Sequence, residues 1–354
     1  MEQYRRSTRR NILKIVILAV AVSVAVVVTL TLDLGSMTLE EVLHVLIDKD
    51  DPANKRSHVI LVWELYMPRM AAGVLAGFGL GAAGVVMQCV LRNPLGSPYT
   101  LGISNAAAFG ASLGIVIGGG AIIGQSAPTI IINNPYLVTI CAFISAMIGT
   151  VIIIALVKVT RVSPETMVLA GVALSSIFAA GISALQYIYN DYALSTIVFW
   201  QFGSLGKPTW DELRLIAIVV LVICLYFFWR RWDLNALDNG ADVARSLGVN
   251  VNRTRIVMLV LSAMMTATIV SFMGIIAFIG LLGPHMIRLL IGNDHRFLLP
   301  GSMLLGAIIL LVADCIGQSA FEFTLPVGII TSFLGGPLFL FLLIHGYRKK
   351  GAML

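Results

Sequence analysis

Charged residues are scarce in this chain: Asp, Glu, Lys and Arg make up 12% of its 354 residues, while 58% are hydrophobic. A typical soluble domain carries about 25% charged residues. The mean hydropathy of +0.93 leaves too little polar sequence to cover a water-soluble globule. The lack of charge therefore excludes a soluble domain and predicts a polytopic membrane protein, with membrane lipid as a partner.

Cysteine frameworks and catalytic motifs are also lacking. The four cysteines all fall inside apolar segments, at Cys89, Cys141, Cys224 and Cys315. This placement provides neither a disulfide framework nor the paired spacing of metal ligands. The five histidines are scattered without an H-E-x-x-H pattern, and no Ser/His/Asp set can be grouped. We therefore predict no catalytic residue, no metal site, no bound cofactor and no enzymatic activity for this chain.

A nucleotide-binding loop is absent as well. The pattern G-x-x-x-x-G-K-[ST] does not occur, since Gly206 and Lys207 are followed by Pro208. Without this loop the chain cannot hold the phosphates of ATP in the P-loop manner. Energy from ATP would have to come from a separate subunit.

Long apolar runs, in contrast, are abundant. A helix needs about 20 apolar residues to cross roughly 30 Å of hydrocarbon. This rule predicts ten spans, at residues 12–32, 68–92, 99–119, 136–159, 164–188, 212–230, 251–271, 273–292, 298–320 and 327–346. The seventh and eighth spans are divided at Met273-Gly274, and Gly73, Gly77 and Gly81 predict close helix packing in the second. We expect an all-α transmembrane fold in a single domain, residues 1–354.

The basic residues indicate how the spans are oriented. With the N-terminus inside, ten spans return the C-terminus to the same side. The inner segments then hold 18 Lys and Arg residues and the outer segments hold 6. Because cytoplasmic segments are enriched in Lys and Arg, both termini are predicted to be cytoplasmic, including residues 1–11, and the location to be the plasma membrane. The net charge of +6 is then a result of topology and does not indicate a nucleic-acid partner.

Three polar segments between spans are too long to be simple turns. The outer segments 33–60 and 190–212 are each predicted to contain a short helix. The inner segment 233–255 reads as a pair of short helices, broken near Gly240 and Gly248. A cytoplasmic helical segment of this size predicts a docking surface for a partner protein.

The stretch Gln88–Gly102 joins two glycine-rich spans at the predicted inner face. Pro94 and Pro98 cannot donate to a helix, and each disfavours helical dihedrals in the residue before it. The stretch is therefore predicted to be a compact non-helical turn. We call residues 91–102 the gate loop, since a gate at the cytoplasmic mouth of a channel would lie there.

Ionisable residues inside the spans are few. Asp314 lies well within the ninth span, and His285 and Arg288 lie near the inner end of the eighth. Ion-coupled transporters use polar relays near the membrane midplane, so Asp314 keeps open the alternative of an ion-coupled secondary transporter. The simpler interpretations are a hydrogen bond from Asp314 to a neighbouring helix, and helix-end capping or snorkelling for His285 and Arg288.

Several phrases of the sequence resemble the FecCD type of ABC transporter permease, the family that imports iron–siderophores, haem and cobalamin. The resemblance extends from about Trp63 to Tyr347. Its phrases, in order, are MPRMAAGVLAGFGLGAAGVVMQCVLRNPLGSPYTLGIS, VLAGVAL, WQFGSL, ARSLGV, GIIAFIGLLGPHMIRLLIGNDHRFLLPGSMLLGA and LPVGIITSFLGGPLFLFLL. The resemblance implies a type II ABC importer permease fold with about ten transmembrane helices.

The same resemblance implies partners and a substrate class. The expected partners are a second permease protomer, identical or a sibling, two cytoplasmic ABC ATPase subunits and an extracytoplasmic substrate-binding protein. The expected cargo is a bulky metal chelate, and an iron(III)–siderophore is favoured because that group is the most populous in the family. A cobalamin or haem importer of the same family is the alternative.

The resemblance also implies roles for individual residues. Contacts with the ATPase, in what we now call the coupling loop (residues 233–255), are implied for Asp238, Ala244, Arg245, Ser246, Leu247 and Gly248. Closure of the inner gate is implied for Asn93, Pro94, Leu95, Gly96, Ser97 and Pro98 and, in a second turn, Ser163 and Pro164. Spans five and ten are expected to line the pathway near the dimer axis.

At the outer face, the family commonly presents arginines that pair with glutamates of the binding protein, and Arg69 matches one of them. Tyr66 and Gln318 stand where further arginines are expected. Docking of the binding protein is therefore expected to use Arg69 together with other groups, such as Lys55 or Arg56.

Overall fold

The computed structural model describes residues 2–34, 37–49, 51, 55–118, 121–123, 130–132, 134–160, 164–320 and 323–351. Its α-helices are α1 (Glu2–Asp33), α2 (Leu39–Ile47), α3 (Arg56–Ile60), α4 (Met67–Val90), α5 (Ile103–Ile117), α6 (Pro135–Thr160), α7 (Pro164–Ile188), α8 (Asp191–Gln201), α9 (Trp210–Trp229), α10 (Arg231–Asp238), α11 (Ala241–Ser246), α12 (Val251–Met273), α13 (Ile279–Ile291), α14 (His295–Ser319) and α15 (Val327–Gly351). A π-helical segment, Leu61–Tyr66, joins α3 to α4. Strands β1 (Ala121–Ile123) and β2 (Ile130–Ile132) form an antiparallel hairpin in which Ala121 pairs with Ile132.

Each of the ten predicted spans corresponds to one helix. Among the described residues, seven helices are long and apolar enough to cross a membrane: α1, α4 with the helical turns before it, α6, α7, α9, α12 and α14. The count of ten spans therefore stays a prediction. The apolar helices α5, α13 and the first part of α15 are shorter. The prediction of an all-α polytopic membrane protein is confirmed, and the small β-hairpin does not alter the class.

The predicted division between the seventh and eighth spans is also confirmed. Helix α12 ends at Met273, and Gly274 follows with φ of +82°. This dihedral is accessible to glycine at little cost and strained for other residues. The chain then runs without helical structure to Phe278, where α13 begins. The eighth span is therefore an extended segment followed by a short helix.

Helix α4 lies at the centre of the bundle and packs against α9, α12, α13 and α14. A Cβ atom at Gly77 would overlap the backbone of Ala307 in α14, and one at Gly84 would overlap the backbone of Gly280 in α13. Only glycine permits such close backbone approach, which is how helices associate where lipid offers no hydrophobic driving force. The glycine spacing of the second span thus reflects packing, as predicted.

The short helices predicted between the spans are present. Helix α2 is capped by Thr38, whose side chain pairs reciprocally with Glu41 in a capping box. The hydrogen bonds from Thr38 hold the pKa of the exposed Glu41 carboxyl below its ordinary value. Helix α8 is capped by the side chain of Asn190. The coupling loop contains the expected helix pair, α10 and α11.

The two ends of the bundle are held by different groups. At one end the Tyr66 hydroxyl donates to the Asp33 carbonyl over 3.3 Å, and Ser319 donates to the Asp33 carboxylate over 3.1 Å. These contacts bring together the end of α1, the start of α4 and the end of α14. At the opposite end Asn235 of α10 donates to Asp294 before α14 over 3.1 Å. The end of α1, the start of α4 and the end of α14 thus lie at one end of the bundle, and α10 and the start of α14 lie at the other, as the predicted topology requires. The assignment of the second end to the cytoplasm stays a prediction.

Candidate gate and coupling surface

The gate loop is a compact turn held by its own polar side chains. Arg92 ends α4 in a left-handed conformation, with φ of +47°. The Asn93 side chain then accepts from the Leu95 amide over 2.9 Å, which is the local turn that asparagine favours. The Thr100 hydroxyl accepts from the Ser97 amide over 2.9 Å and donates to the Leu95 carbonyl over 3.1 Å. The predicted non-helical turn is confirmed, and its shape is fixed locally.

The predicted gate residues differ in their exposure. Pro94 is exposed, Asn93 and Leu95 are half-buried, and Gly96, Ser97 and Pro98 are buried. In the second predicted turn, Ser163 lies outside the described residues and Pro164 is the first residue of α7. One half of the gate loop is thus accessible from the end of the bundle, and the other half is built into the fold.

The gate loop packs directly on α7, the fifth predicted span. A Cβ atom at Gly171 of α7 would lie 2.7 Å from Leu101 Cα and would overlap the Thr100 carbonyl. From the other side, a Cβ at Gly102 would lie 2.9 Å from the Ser175 hydroxyl. Because Gly171 and Gly102 face each other, the gate loop contacts the backbone of α7 directly. A shift of the loop would therefore require a shift of the helix, and the reverse also holds.

An aromatic contact beside the gate loop was not predicted from the sequence. Tyr99 packs against Phe278, with ring centroids 6.3 Å apart. Phe278 has φ of +66°, an unusual value for a bulky residue, and its side chain also packs closely on Gly335 of α15. Phe278 therefore joins the gate loop, the start of α13 and the tenth predicted span. A phenylalanine among many apolar residues carries no sequence signal for such a role.

In the coupling loop, one face of α11 is anchored and the other is free. Ala244 is fully buried, whereas Arg245 is exposed and pairs with Asp242 over 2.7 Å. Leu247 is 68% exposed, and no described atom lies within 4 Å of a Cβ built on Gly248. An exposed leucine beside an open glycine at the end of a short helix is suited to contact with a partner protein.

The coupling loop and the gate loop meet at the same end of the bundle. Arg92 Nη2 lies 3.3 Å from the position of a Cβ atom at Gly240. Asp238 shares with Asn93 and Pro94 the lining of one cavity of about 430 Å³. The predicted coupling and gate residues are thus brought together, although about 140 residues separate them in sequence.

Arg288 forms part of this end of the bundle. It donates to the side-chain oxygen of Gln88, and the Gln88 amide group donates to the Gly280 carbonyl over 3.3 Å. The interpretation that Arg288 snorkels to lipid headgroups is therefore wrong, because its guanidinium turns inward to α4. His285 is half-buried on the same helix.

At the other end, Arg69 is held by Asp314. The Arg69 guanidinium donates to both Asp314 carboxylate oxygens, over 2.5 and 2.7 Å, and Asp314 is fully buried. With its amide turned so that the oxygen faces the guanidinium, Gln318 also accepts from Arg69. Asp314 is thus bonded to a neighbouring helix, as the simpler interpretation expected. Docking by Arg69 stays a prediction, and exposed Lys55 and Arg56 lie nearby in sequence.

Helices α7 and α15 carry large apolar side chains that the chain itself does not cover. Leu169 and Ile177 of α7 are 67% and 65% exposed, and Phe333 of α15 is 76% exposed. The helices of the core, α4 and α12, are in contrast largely buried. Helices α1 and α9 also expose apolar residues, such as Leu13 and Ile218, so exposure alone does not distinguish the two spans that were expected to line the pathway near a dimer axis.

The fold is that of a polytopic helical membrane protein. The chain matches the sequence profile of the FecCD transport family over residues 7–345. It belongs to that family, and it is a multi-pass ABC transporter permease of the plasma membrane.

Three relatives extend along most of the chain. A protein described as an ABC transporter permease of Methanocaldococcus jannaschii is 42% identical and covers 98% of this chain and 99% of its own length. The hemin transport system permease of Yersinia pestis is 36% identical, over 82% of this chain and 85% of its own. The Fe(3+)-citrate import system permease of Bacillus subtilis is 32% identical, over 99% of this chain and 100% of its own.

A solved structure supports the fold. It is described as an inward-facing conformation of a metal-chelate type ABC transporter, and it is 27% identical to this chain. The two superpose with a TM-score of 0.78 over 94% of this chain and 98% of the other. The bundle described above is therefore that of an ABC importer permease.

Proposed function

We propose that this chain is the membrane-spanning subunit of an ATP-binding-cassette importer that carries an iron(III)–siderophore inward by alternating access. The observation that carries the proposal is the meeting of the two loops: Arg92 lies against Gly240, and Asp238 faces the same cavity as Asn93. Movement of the coupling loop by a partner would therefore reach the gate loop through direct contact. The chain itself has no nucleotide loop, so ATP hydrolysis belongs to that partner.

In this proposal each surface has its own partner. Two ATPase subunits dock on the coupling loops of two permease protomers, which meet along α7 and α15. The binding protein docks at the opposite end, where Lys55 and Arg56 are exposed and Arg69 is largely committed to Asp314. Lipid covers the remaining apolar helices.

A charge reversal in the coupling loop tests the function. Arg245 is exposed, and its ion pair with Asp242 joins two exposed groups, so the pair contributes only about 0–1 kcal/mol to stability. Arg245→Glu should therefore insert normally into the membrane but no longer co-purify with the ATPase. Its rate of ATP-driven uptake should be at least tenfold lower than that of the wild type. Arg214→Glu is the matched control, because Arg214 forms the same kind of exposed pair with Asp211 at the opposite end. Normal ATPase capture and uptake by Arg245→Glu would contradict the coupling assignment.

The identity of the cargo, an iron(III)–siderophore, is the more specific part of the proposal. The relatives include permeases named for hemin and for Fe(3+)-citrate, which have iron in common. A haem or cobalamin cargo is the alternative within the same family. Binding of each chelate to the partner substrate-binding protein distinguishes them, and tight binding of haem or cobalamin with none of the siderophore would contradict the siderophore assignment.

The ion-coupled secondary transporter is not favoured. Its one candidate relay, Asp314, has both carboxylate oxygens occupied by Arg69. A relay must exchange its ion during each cycle, and a carboxylate in a two-point ion pair with arginine is poorly suited to do so.

A further inference from the structure

We propose that Cys89, Asp238 and His295 form a binding site for a divalent transition-metal ion such as Zn²⁺. One ligand atom from each of the three lies within 4.8 Å of the others. The residues come from three elements: the last turn of α4, the end of α10 and the start of α14. Because they are far apart in sequence, their spacing gives no motif, and only the fold brings them together.

The hydrogen bonds around His295 determine which ring nitrogen is available. The Asn235 amide nitrogen donates to the Asp294 carboxylate over 3.1 Å, so the Asn235 oxygen must be the atom that faces His295. That oxygen accepts from the His295 backbone amide and lies 2.9 Å from its Nδ1. Nδ1 therefore carries the proton, and Nε2 carries the lone pair. Nδ1 is also the ring nitrogen that lies 3.7 Å from the Asp238 carboxylate, so binding of an ion between Nε2 and Asp238 requires the imidazole ring to move. Metal-binding histidines are commonly oriented by such a hydrogen bond from the other ring nitrogen.

Nε2 of His295 is fully buried and has no hydrogen-bond partner among the described residues. A buried polar atom without a partner carries a free-energy cost that a ligand can remove. The Cys89 thiol is also buried, where it donates to the Leu234 carbonyl over 3.4 Å and forms a hydrogen bond with the Asp238 carboxylate. Of the two groups, the imidazole is therefore the one that the metal-free arrangement leaves without a partner.

The donor set and its charge fit a borderline-soft cation. Sulfur, imidazole and carboxylate are the ligands that Zn²⁺ takes, with bonds of about 2.0–2.3 Å. Ligand atoms around a tetrahedral ion are then about 3.3–3.8 Å apart, so the three groups need to close by about 1 Å. A thiolate and a carboxylate together neutralise a divalent ion, which avoids an uncompensated buried charge.

Of the three proposed ligands, Asp238 lines the open cavity, together with Arg92 and Arg288. The Asp238 side chain is 30% exposed, while His295 is closed off from solvent. The ion can therefore arrive at the carboxylate first, with water from the cavity as its fourth ligand. Zinc sites with three protein ligands keep such an open position.

A bound metal ion would link the coupling loop to α4, the helix that leads into the gate loop. Asp238 lies in the coupling loop, and Cys89 lies three residues before Arg92, where the gate loop turns. A bound ion would restrain the movement between them, so a raised cytoplasmic metal level would slow transport. This regulatory step rests on the proposed function, whereas the metal site itself does not.

Cobalt binding to the purified full-length chain in lipid nanodiscs tests the site. Co²⁺ bound to a thiolate gives a charge-transfer absorption, and we expect one Co²⁺ per chain with this band, displaced by Zn²⁺. Cys89→Ser should abolish the band, while Cys224→Ser, at another buried cysteine, should retain it. Absence of the band in the wild type, or its persistence in Cys89→Ser, would overturn the proposal.

A second variant covers the case in which Cys89→Ser does not fold. Asp238 is partly exposed, so Asp238→Asn should be tolerated, retain the thiolate band and bind Co²⁺ at least tenfold more weakly. An unchanged affinity would overturn the assignment of Asp238 as a ligand.

The regulatory step is tested with the assembled transporter in proteoliposomes. Zn²⁺ on the ATPase side should lower chelate uptake by wild type several-fold and leave Cys89→Ser less affected. If the chain binds cobalt but uptake is insensitive to Zn²⁺, the regulatory step is contradicted and the metal site remains supported. Failure of ATP-driven uptake without any added metal would count against the proposed function instead.

Discussion

Arg69 and Asp314 illustrate what a single pair of residues does in this chain. The sequence indicates that Asp314 lies inside a span and that Arg69 lies at the outer end of another. It does not indicate that the two side chains face each other, since they are 245 residues apart. The pairing depends on the close approach of α4 and α14, and glycines such as Gly77 allow that approach. The partner of a buried charge thus follows from packing and not from local pattern.

Removal of one charge of this pair should destabilise the bundle. Asp314→Asn leaves the Arg69 guanidinium buried without its counter-charge, and the loss of one partner of a buried pair costs about 3–5 kcal/mol. We expect a clear fall in the thermal unfolding midpoint in detergent for Asp314→Asn and for Arg69→Gln. The double variant should be less destabilised than the sum of the two, because neither charge is then left alone.

Additive effects in this cycle would show that the two groups do not interact. Arg214→Gln is a suitable control, since its exposed pair with Asp211 should contribute little. The secondary transporter would instead be supported if uptake by the wild type depended on an ion gradient and uptake by Asp314→Asn did not.

At the level of elements, hydrophobic length and composition were sufficient to locate seven long helices, three shorter apolar helices and the break at Gly274. The helices between spans followed from their amphipathic pattern, and α2 has its cap at Thr38. The π-helical segment Leu61–Tyr66 was not predicted, because the same apolar pattern fits an α-helix. The β-hairpin was missed as well, since six residues in two short strands lack the length that periodicity requires.

The gate loop could be predicted as a turn but not in its contacts. Its prolines indicate where the helix stops, whereas its contact with α7 depends on Gly171 and Gly102 meeting across the fold. The meeting of Arg92 with Gly240 is likewise a result of packing. The sequence pattern therefore predicted the gate loop and the coupling loop, and the fold was needed to show that the two are in contact.

The contact between the gate loop and α7 leads to a second prediction. Gly171→Ala places a methyl group against the Thr100 carbonyl and Leu101, so the loop must move away from the helix. We expect normal membrane insertion but a leaky or inactive transporter, measured as retention of a preloaded chelate in proteoliposomes. Gly206→Ala is the control, because a Cβ at this exposed position outside α7 and α15 would come no closer than 3.5 Å to a described atom. Tight, active vesicles with Gly171→Ala would show that the contact is dispensable for gating.

At the level of the whole molecule, one chain leaves wide apolar faces uncovered. Its core surrounds α4, while α7 and α15 expose large apolar residues such as Ile177 and Phe333. Helices α1 and α9 expose apolar residues as well, and lipid can cover faces of this kind. In the proposed dimer, a second protomer covers α7 and α15, the pathway lies between the two protomers, and each contributes a gate loop at the inner mouth.

A cysteine in the gate loop should report on this dimer. Tyr99 is 40% exposed and lies beside Phe278, next to α15, so Tyr99→Cys places an accessible thiol near the expected axis. We expect cross-links between two chains in the assembled transporter, with a yield that changes between the nucleotide-free and ATP-bound states. The native Cys89 and Cys224 are buried and should not contribute, and the half-buried Cys141 and Cys315 are replaced by serine in the background. Ile218→Cys, on an exposed face of α9, should not cross-link, because α9 packs on α4 and α12 and is not one of the helices proposed to line the axis. Equal cross-linking in all nucleotide states would argue against gating at this loop, and cross-linking through Ile218→Cys alone would place the dimer axis elsewhere.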